Sequence, residues 1–141
     1  MSTYPRSPKD AVGEMQYFPR MLDKIRLFAR GDLAPEYHDN MGITRSADGI
    51  CLNFLRVKYE DLRKRVLEGG TDEEILEWCY TNGRRLNERD VVVWNSFISK
   101  FGLKDFMSGR LVEMKKANGV ADRDDIQTIT ELMDYEEGRV K

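Results

Sequence analysis

Thr71-Asp72-Glu73-Glu74-Ile75-Leu76-Glu77-Trp78-Cys79-Tyr80-Thr81-Asn82-Gly83 is the stretch on which the fold turns. Thr71 and Glu74 stand three residues apart as a capping box, each side chain able to satisfy the other's free backbone N–H. Asp72 and Glu73 add negative charge where a helix dipole favours it. Ile75, Trp78 and Cys79 recur at helical spacing as an inner face, and Gly83 supplies the stop.

The same grammar extends in both directions. Downstream, Asn87 caps a helix with Glu88 and Asp90 in its first turn. Val91, Val93, Trp94, Phe97, Ile98 and Phe101 make it apolar over much of its circumference up to Gly102, which predicts a place at the centre of the core. Met107, Leu111 and Met114 outline another helix ending at Gly119, with Gly109 inside it costing about 1 kcal/mol of propensity. Asp122, Asp124 and Asp125 are read as opening the last helix, carried by Ile126, Ile129 and Met133. Upstream, Tyr59, Leu62 and Val66 mark a helix ending at Gly69-Gly70, preceded by a short one through Cys51 to Leu55. The first helix begins at Pro19 and carries Met21, Leu22, Ile25, Phe28 and Ala29 inward, leaving Arg20, Asp23, Lys24, Arg26 and Arg30 on its remaining surface.

The chain therefore reads as all-α: a compact single-domain bundle of about six helices over residues 18–141, preceded by an extended N-terminal arm over residues 1–17 that holds two of the four prolines. Asp32 to Gly49, with Pro35, Gly42, Gly49 and the single histidine, is the one long irregular loop, and such loops often carry function. At 141 residues, 40% hydrophobic and 34% charged, the composition is that of one globular domain.

A net charge of −2 gives no field toward nucleic acid or an anionic membrane. Charge instead alternates, with +3 over residues 1–30, −4 over 66–90, +3 over 91–119 and −4 over 120–141, a pattern suited to helix pairing within the chain. The expected partners are a small anionic metabolite or another protein, with no nucleic acid and no membrane. Cys51 and Cys79 lie in apolar stretches and are expected to be free, buried thiols, and the chain shows neither a signal peptide nor an 18-residue apolar run, so the expected location is cytoplasmic.

The candidate ligand-binding residues are Arg20, Asp23, Lys24 and Arg26 on the first helix, with Tyr37 and His38 closing over them from the loop. Asp23 lies three residues from both Arg20 and Arg26, so it can brace either guanidinium against a carboxylate or phosphate. The competing reading is a solvated charged face whose pairs are worth a few tenths of a kcal/mol.

The candidate catalytic residues are His38 as acid–base group, Asp23 as its partner or a second acid–base group, and Cys51 as a thiol that a nearby cation would activate, with Lys24 or Arg26 on the substrate's charge. One histidine and no Cys-x-x-Cys or His-x-x-x-His spacing leave no metal site, and no cofactor motif occurs. Function is accordingly open between a binding or regulatory module, a small cofactor-independent enzyme, and a protein-interaction domain without a ligand pocket.

Phe18-Pro19-Arg20-Met21-Leu22-Asp23-Lys24-Ile25-Arg26, then Tyr37-His38 and Asp48-Gly49-Ile50-Cys51, resemble a bacterial domain-of-unknown-function family of short chains. The resemblance continues through Thr71 to Cys79, Trp94-Asn95-Ser96-Phe97 and Ala121 to Thr128. Phe18 stands where that pattern has Leu, and the Cys-Pro-x-Asp run of many relatives is missing after the Tyr. The resemblance implies no activity; it places Pro19, Arg20, Asp23, Lys24 and Arg26 on the family's most recognisable motif.

Overall fold

Caps fix where the helices begin, and in the computed structural model, which describes residues 4–141, two of them are complete capping boxes. Thr71 and Glu74 exchange hydrogen bonds at the start of one helix, Asn87 and Asp90 at the start of the next. In chain order the helices are α1 (Phe18–Ala29), a 3-10 helix (Pro35–Asn40), α2 (Ala47–Leu55), α3 (Tyr59–Leu67), α4 (Asp72–Asn82), α5 (Glu88–Ser99), α6 (Ser108–Ala117) and α7 (Ile129–Glu136). The chain is mostly helical, 56% of the described residues, in eight helices rather than the six expected.

The unexpected element, the 3-10 helix, lies in the segment read as an irregular loop, and the short helix expected from Cys51 starts within that segment. Pro35 opens the 3-10 helix there, and Ser46, accepting from the Gly49 N–H, caps α2, whose first residue Ala47 stands four residues ahead of the expected Cys51. Gly49 is required at that point: a Cβ would stand 2.0 Å from the Ile43 carbonyl oxygen, so the approach of residues 43–44 to α2 depends on its absence.

The last helix also starts elsewhere than expected. Asp122, Asp124 and Asp125 lie in turns, and α7 begins after Thr128, whose hydroxyl accepts from the Glu131 N–H at 3.0 Å. Thr128 with Glu131 competes better for the N-terminus because both its partners lie on the same first turn.

Within the segment read as an arm, of which residues 1–3 lie outside the described residues, Ala11–Val12 (β1) pairs antiparallel with Met15–Gln16 (β2). Gly13 and Glu14 both take positive φ in the two-residue turn, as a hairpin of this length needs. α5 holds the hairpin: Asn95 accepts from Gln16 N at 2.9 Å and donates to Glu14 O at 2.7 Å, and Trp94 Nε1 donates to Gln16 O at 2.8 Å.

A single core joins Met15, Phe18, Met21, Leu22 and Ile25 to Leu55, Leu62, Ile75, Trp94, Ile98, Phe101 and Leu132. α5 enters it through one face only. Val91, Trp94 and Ile98 are buried, while Val92 and Val93 are 57% and 53% exposed.

Candidate functional site

α1 differs most from its sequence reading. Arg20 and Lys24, placed on the outer surface by periodicity, are 2% and 5% exposed. Burial of two cations within one turn is tolerated only with full pairing, since an unpaired buried charge is costly. Both partners arrive from far along the chain. Arg20 forks onto Glu137, Nη1 to Oε1 at 2.8 Å and Nη2 to Oε2 at 2.6 Å, and Nη1 also reaches the Arg6 carbonyl at 3.0 Å. Lys24 Nζ lies 2.7 Å from Asp48 Oδ1, which also accepts from the Tyr17 hydroxyl at 2.6 Å, and Asp48 Oδ2 accepts from Gly42 N at 3.2 Å.

Glu137 gathers three donors: Arg20, Arg139 and the Tyr37 hydroxyl at 2.7 Å. Burial alone would raise its carboxyl, but Arg20, with Tyr37 and Arg139, holds it below the usual carboxylate range. Tyr17 is pushed well up by burial and then by Asp48. It also takes φ 76° at the start of α1, a conformation unfavourable for an aromatic residue and held by the Asp48 hydrogen bond.

Beside these groups lies a cleft of about 570 Å³, within the range of small-molecule sites. Tyr17, Arg20, Lys24, Tyr37, Asn40 and Ser46 supply its polar wall. Phe101, Met107, Met114, Ile129 and Met133 supply the apolar one, with Tyr4, Arg110, Glu36, Glu113 and Glu136 also lining it. Three methionines make that wall adaptable to the shape of what it covers. Arg20 Nε, buried at this wall, is the one buried side-chain polar atom without a hydrogen-bond partner among the described residues.

Three of the six residues singled out as ligand-binding, Arg20, Lys24 and Tyr37, therefore line one cleft. Asp23, Arg26 and His38 are not among its lining residues. Asp23 accepts from Arg6 N and Nε, both at 2.9 Å, and lies 3.8 Å from Arg26; Asp72 takes Arg6 at 2.6 Å and Arg26 at 2.8 Å. This four-residue network ties the N-terminal segment and α4 to α1, so Asp23 does not brace Arg20. The His38 Nε2–H donates to the Leu33 carbonyl at 2.9 Å, and its ring meets Phe28 edge to face at 4.8 Å.

No hydrogen bond or ion pair joins His38, Asp23 and Cys51. Burial pushes the Cys51 thiol up, and Asp48 adds to the shift, opposite to what a nucleophilic thiol needs. Among the described residues no group of three or more His, Cys, Asp or Glu is placed to hold a metal ion, and no helix is long and apolar enough to cross a membrane.

Sequence reasoning missed Glu137, Asp48, Tyr17 and the methionine wall. For Asp48 a signal exists: a lone carboxylate in Ala47-Asp48-Gly49-Ile50-Cys51-Leu52 demands a cation if that stretch is buried. Glu137 carries none, because it lies among other acidic residues at a helix end.

Fold and cleft together define a small helical domain with a paired-ion wall facing an apolar one. The chain belongs to the domain of unknown function family DUF5069, whose sequence model matches residues 2–139. No curated protein matches it.

Proposed function

We propose that the domain is a binding module for a small amphipathic molecule with a single anionic headgroup, seated in the cleft between α1 and the α6–α7 wall. The carrying observation is the unpartnered Arg20 Nε–H. Its two terminal nitrogens are engaged by Glu137 and the Arg6 carbonyl, so Nε is the guanidinium nitrogen left without a partner, in a buried wall where an unmade hydrogen bond costs about 1–3 kcal/mol.

A carboxylate entering beside Arg20, within the influence of Lys24, satisfies that donor when a small turn of the Arg20 side chain brings Nε to the cleft. The body of the molecule then lies on Met107, Met114 and Met133. Arg20, Lys24 and Arg110 are matched among the lining residues by Glu36, Glu113 and Glu136, so the cleft favours one negative charge over a polyanion. Asp23 and Arg26 brace α1 in this reading, and His38 holds the 3-10 helix against Phe28. Two buried free thiols support a reducing, cytoplasmic setting.

Native mass spectrometry of freshly purified protein, followed by NMR titration with a panel of aromatic and aliphatic monocarboxylates, tests the proposal. A retained ligand, or a carboxylate that shifts the Tyr37 and Met133 signals in wild type but not in Met114→Trp, is the expected result. A bare chain that no carboxylate perturbs rejects it.

A further inference from the structure

The outward face of α5 and the turn that follows it carry apolar side chains without cover. Val92, Val93, Ser96, Phe97, Lys100 and Leu103 line a groove of about 480 Å³. At its end Phe106, 70% exposed, stacks on Phe97 with ring centroids 6.4 Å apart and planes 11° from parallel. Contiguous apolar exposure of this kind on a soluble domain marks an interaction surface more often than chance.

The groove's one lining cation, Lys100, has no carboxylate partner, and basic residues stand at both ends of its exposed face. Arg89, Val92, Val93, Ser96 and Lys100 follow one another on the exposed face at helical spacing, and Lys104 lies exposed in the turn beyond the helix, between Leu103 and Asp105 of the lining. None of Arg89, Lys100 and Lys104 has a carboxylate within ion-pair distance among the described residues, whereas the basic residues of α1 are paired. Asp105, the one acid lining the groove, is turned onto the backbone, accepting from Gly102 N at 2.9 Å and Met107 N at 2.8 Å. Glu88 stands beside Arg89 at the N-terminal end of α5, where the two line a neighbouring recess with Val92 and leave Lys100 and Lys104 as the cations at the opposite end.

We propose that this groove docks an acidic amphipathic helix from a partner protein, its apolar anchors under Phe106 and its carboxylates against Arg89, Lys100 and Lys104. A second copy of the chain fits poorly. Antiparallel pairing of α5 with itself sets Arg89 against Lys100, with Glu88 able to offset that repulsion but add no net attraction, and parallel pairing sets Lys100 against Lys100, so neither two-fold arrangement gives the groove's cations a full set of acids. A bilayer would cover Phe106 and leave the recess beneath it unfilled. The proposal is independent of the cleft.

The test is an NMR titration of the full chain with a synthetic 18-residue helix bearing Leu at i, i+3, i+4 and i+7 and Glu on its flanks. A matched helix with Lys for Glu, and vesicles of phosphatidylserine and phosphatidylcholine, run alongside, with sedimentation velocity reporting self-association. The Glu helix is expected to shift the Val92, Val93, Lys100, Leu103 and Phe106 amides. Leu103→Ser with Phe106→Ser should weaken binding at least tenfold, and Lys100→Glu with Lys104→Glu should transfer the preference to the Lys helix. These are exposed positions, and an unchanged circular dichroism spectrum verifies that the variants fold. Absence of shifts with the Glu helix, equal shifts with both helices, binding of vesicles alone through these residues, or a dimer formed through them each overturns the proposal.

Discussion

Arg20 and Lys24 lie one turn apart on α1, and each is held by an acid that the chain delivers from another element: Glu137 from beyond α7, Asp48 from α2. Removing the cation or the acid alone leaves the other buried and uncompensated, which typically costs about 3–5 kcal/mol. Arg20→Ala is therefore expected to lower the unfolding free energy in urea by that amount. For the second pair, Asp48→Asn should be comparably harmful alone, whereas Lys24→Met with Asp48→Asn should recover most of the loss, because no buried charge is left and the amide carbonyl still accepts from the Tyr17 hydroxyl. A loss below about 1 kcal/mol for either single change would show that the pair is hydrated in solution, as exposed pairs are. Periodicity identified these cations and misjudged their environment: an Arg on a helix reads the same whether its partner is water or a carboxylate 117 residues away.

At the scale of elements, what was legible followed from local chemistry. α4 and α5 begin where their capping boxes lie, at Thr71 and Asn87, because cap and helix are consecutive in sequence. Thr71→Ala should accordingly cost about 1 kcal/mol in thermal or urea unfolding. The hairpin was invisible: two-residue strands show no alternation, and they exist because Asn95 and Trp94 satisfy the backbone of residues 14–16 from across the molecule. Asn95→Ala is expected to cost about 1–2 kcal/mol by leaving the Gln16 N–H and Glu14 carbonyl without their partner. Amide exchange of Gln16 should speed up while that of Ile98, in the same helix, moves only with global stability. The cleft was half legible for the same reason. Its polar wall comes largely from two consecutive stretches, whereas its apolar wall is assembled from Phe101, Met107, Met114, Ile129 and Met133, which look like ordinary core residues.

Across the whole molecule, the two ends of the described chain are clasped over α1. Ser7 donates to Asp134 at 2.8 Å, Arg139 reaches the Pro5 carbonyl at 2.5 Å and pairs with Glu137, and Arg6 bridges Asp23 and Asp72. Every tie depends on an ionised carboxylate or on the backbone it orients, and this fixes how stability varies with pH. Glu137 and Asp72 are both held below their ordinary range; burial acts against them, and Arg20 for the first and Arg6 with Arg26 for the second prevail. A carboxylate whose folded pKa is depressed binds fewer protons folded than unfolded, so its contribution is fully present above the unfolded value of about 4. It is lost as pH falls through the folded value, while the arginines stay charged throughout. Stability measured by urea unfolding should therefore be level from about pH 7 to 5 and fall steeply below about 4. Glu137→Gln should be less stable at pH 7 yet show a shallower acid limb, since one of the titrating groups is gone. Arg6→Ala should flatten the limb through Asp72 while leaving the Arg20–Glu137 pair intact. An acid limb of the same slope in wild type and both variants would mean that the clasp does not govern acid unfolding, and that carboxylates elsewhere do.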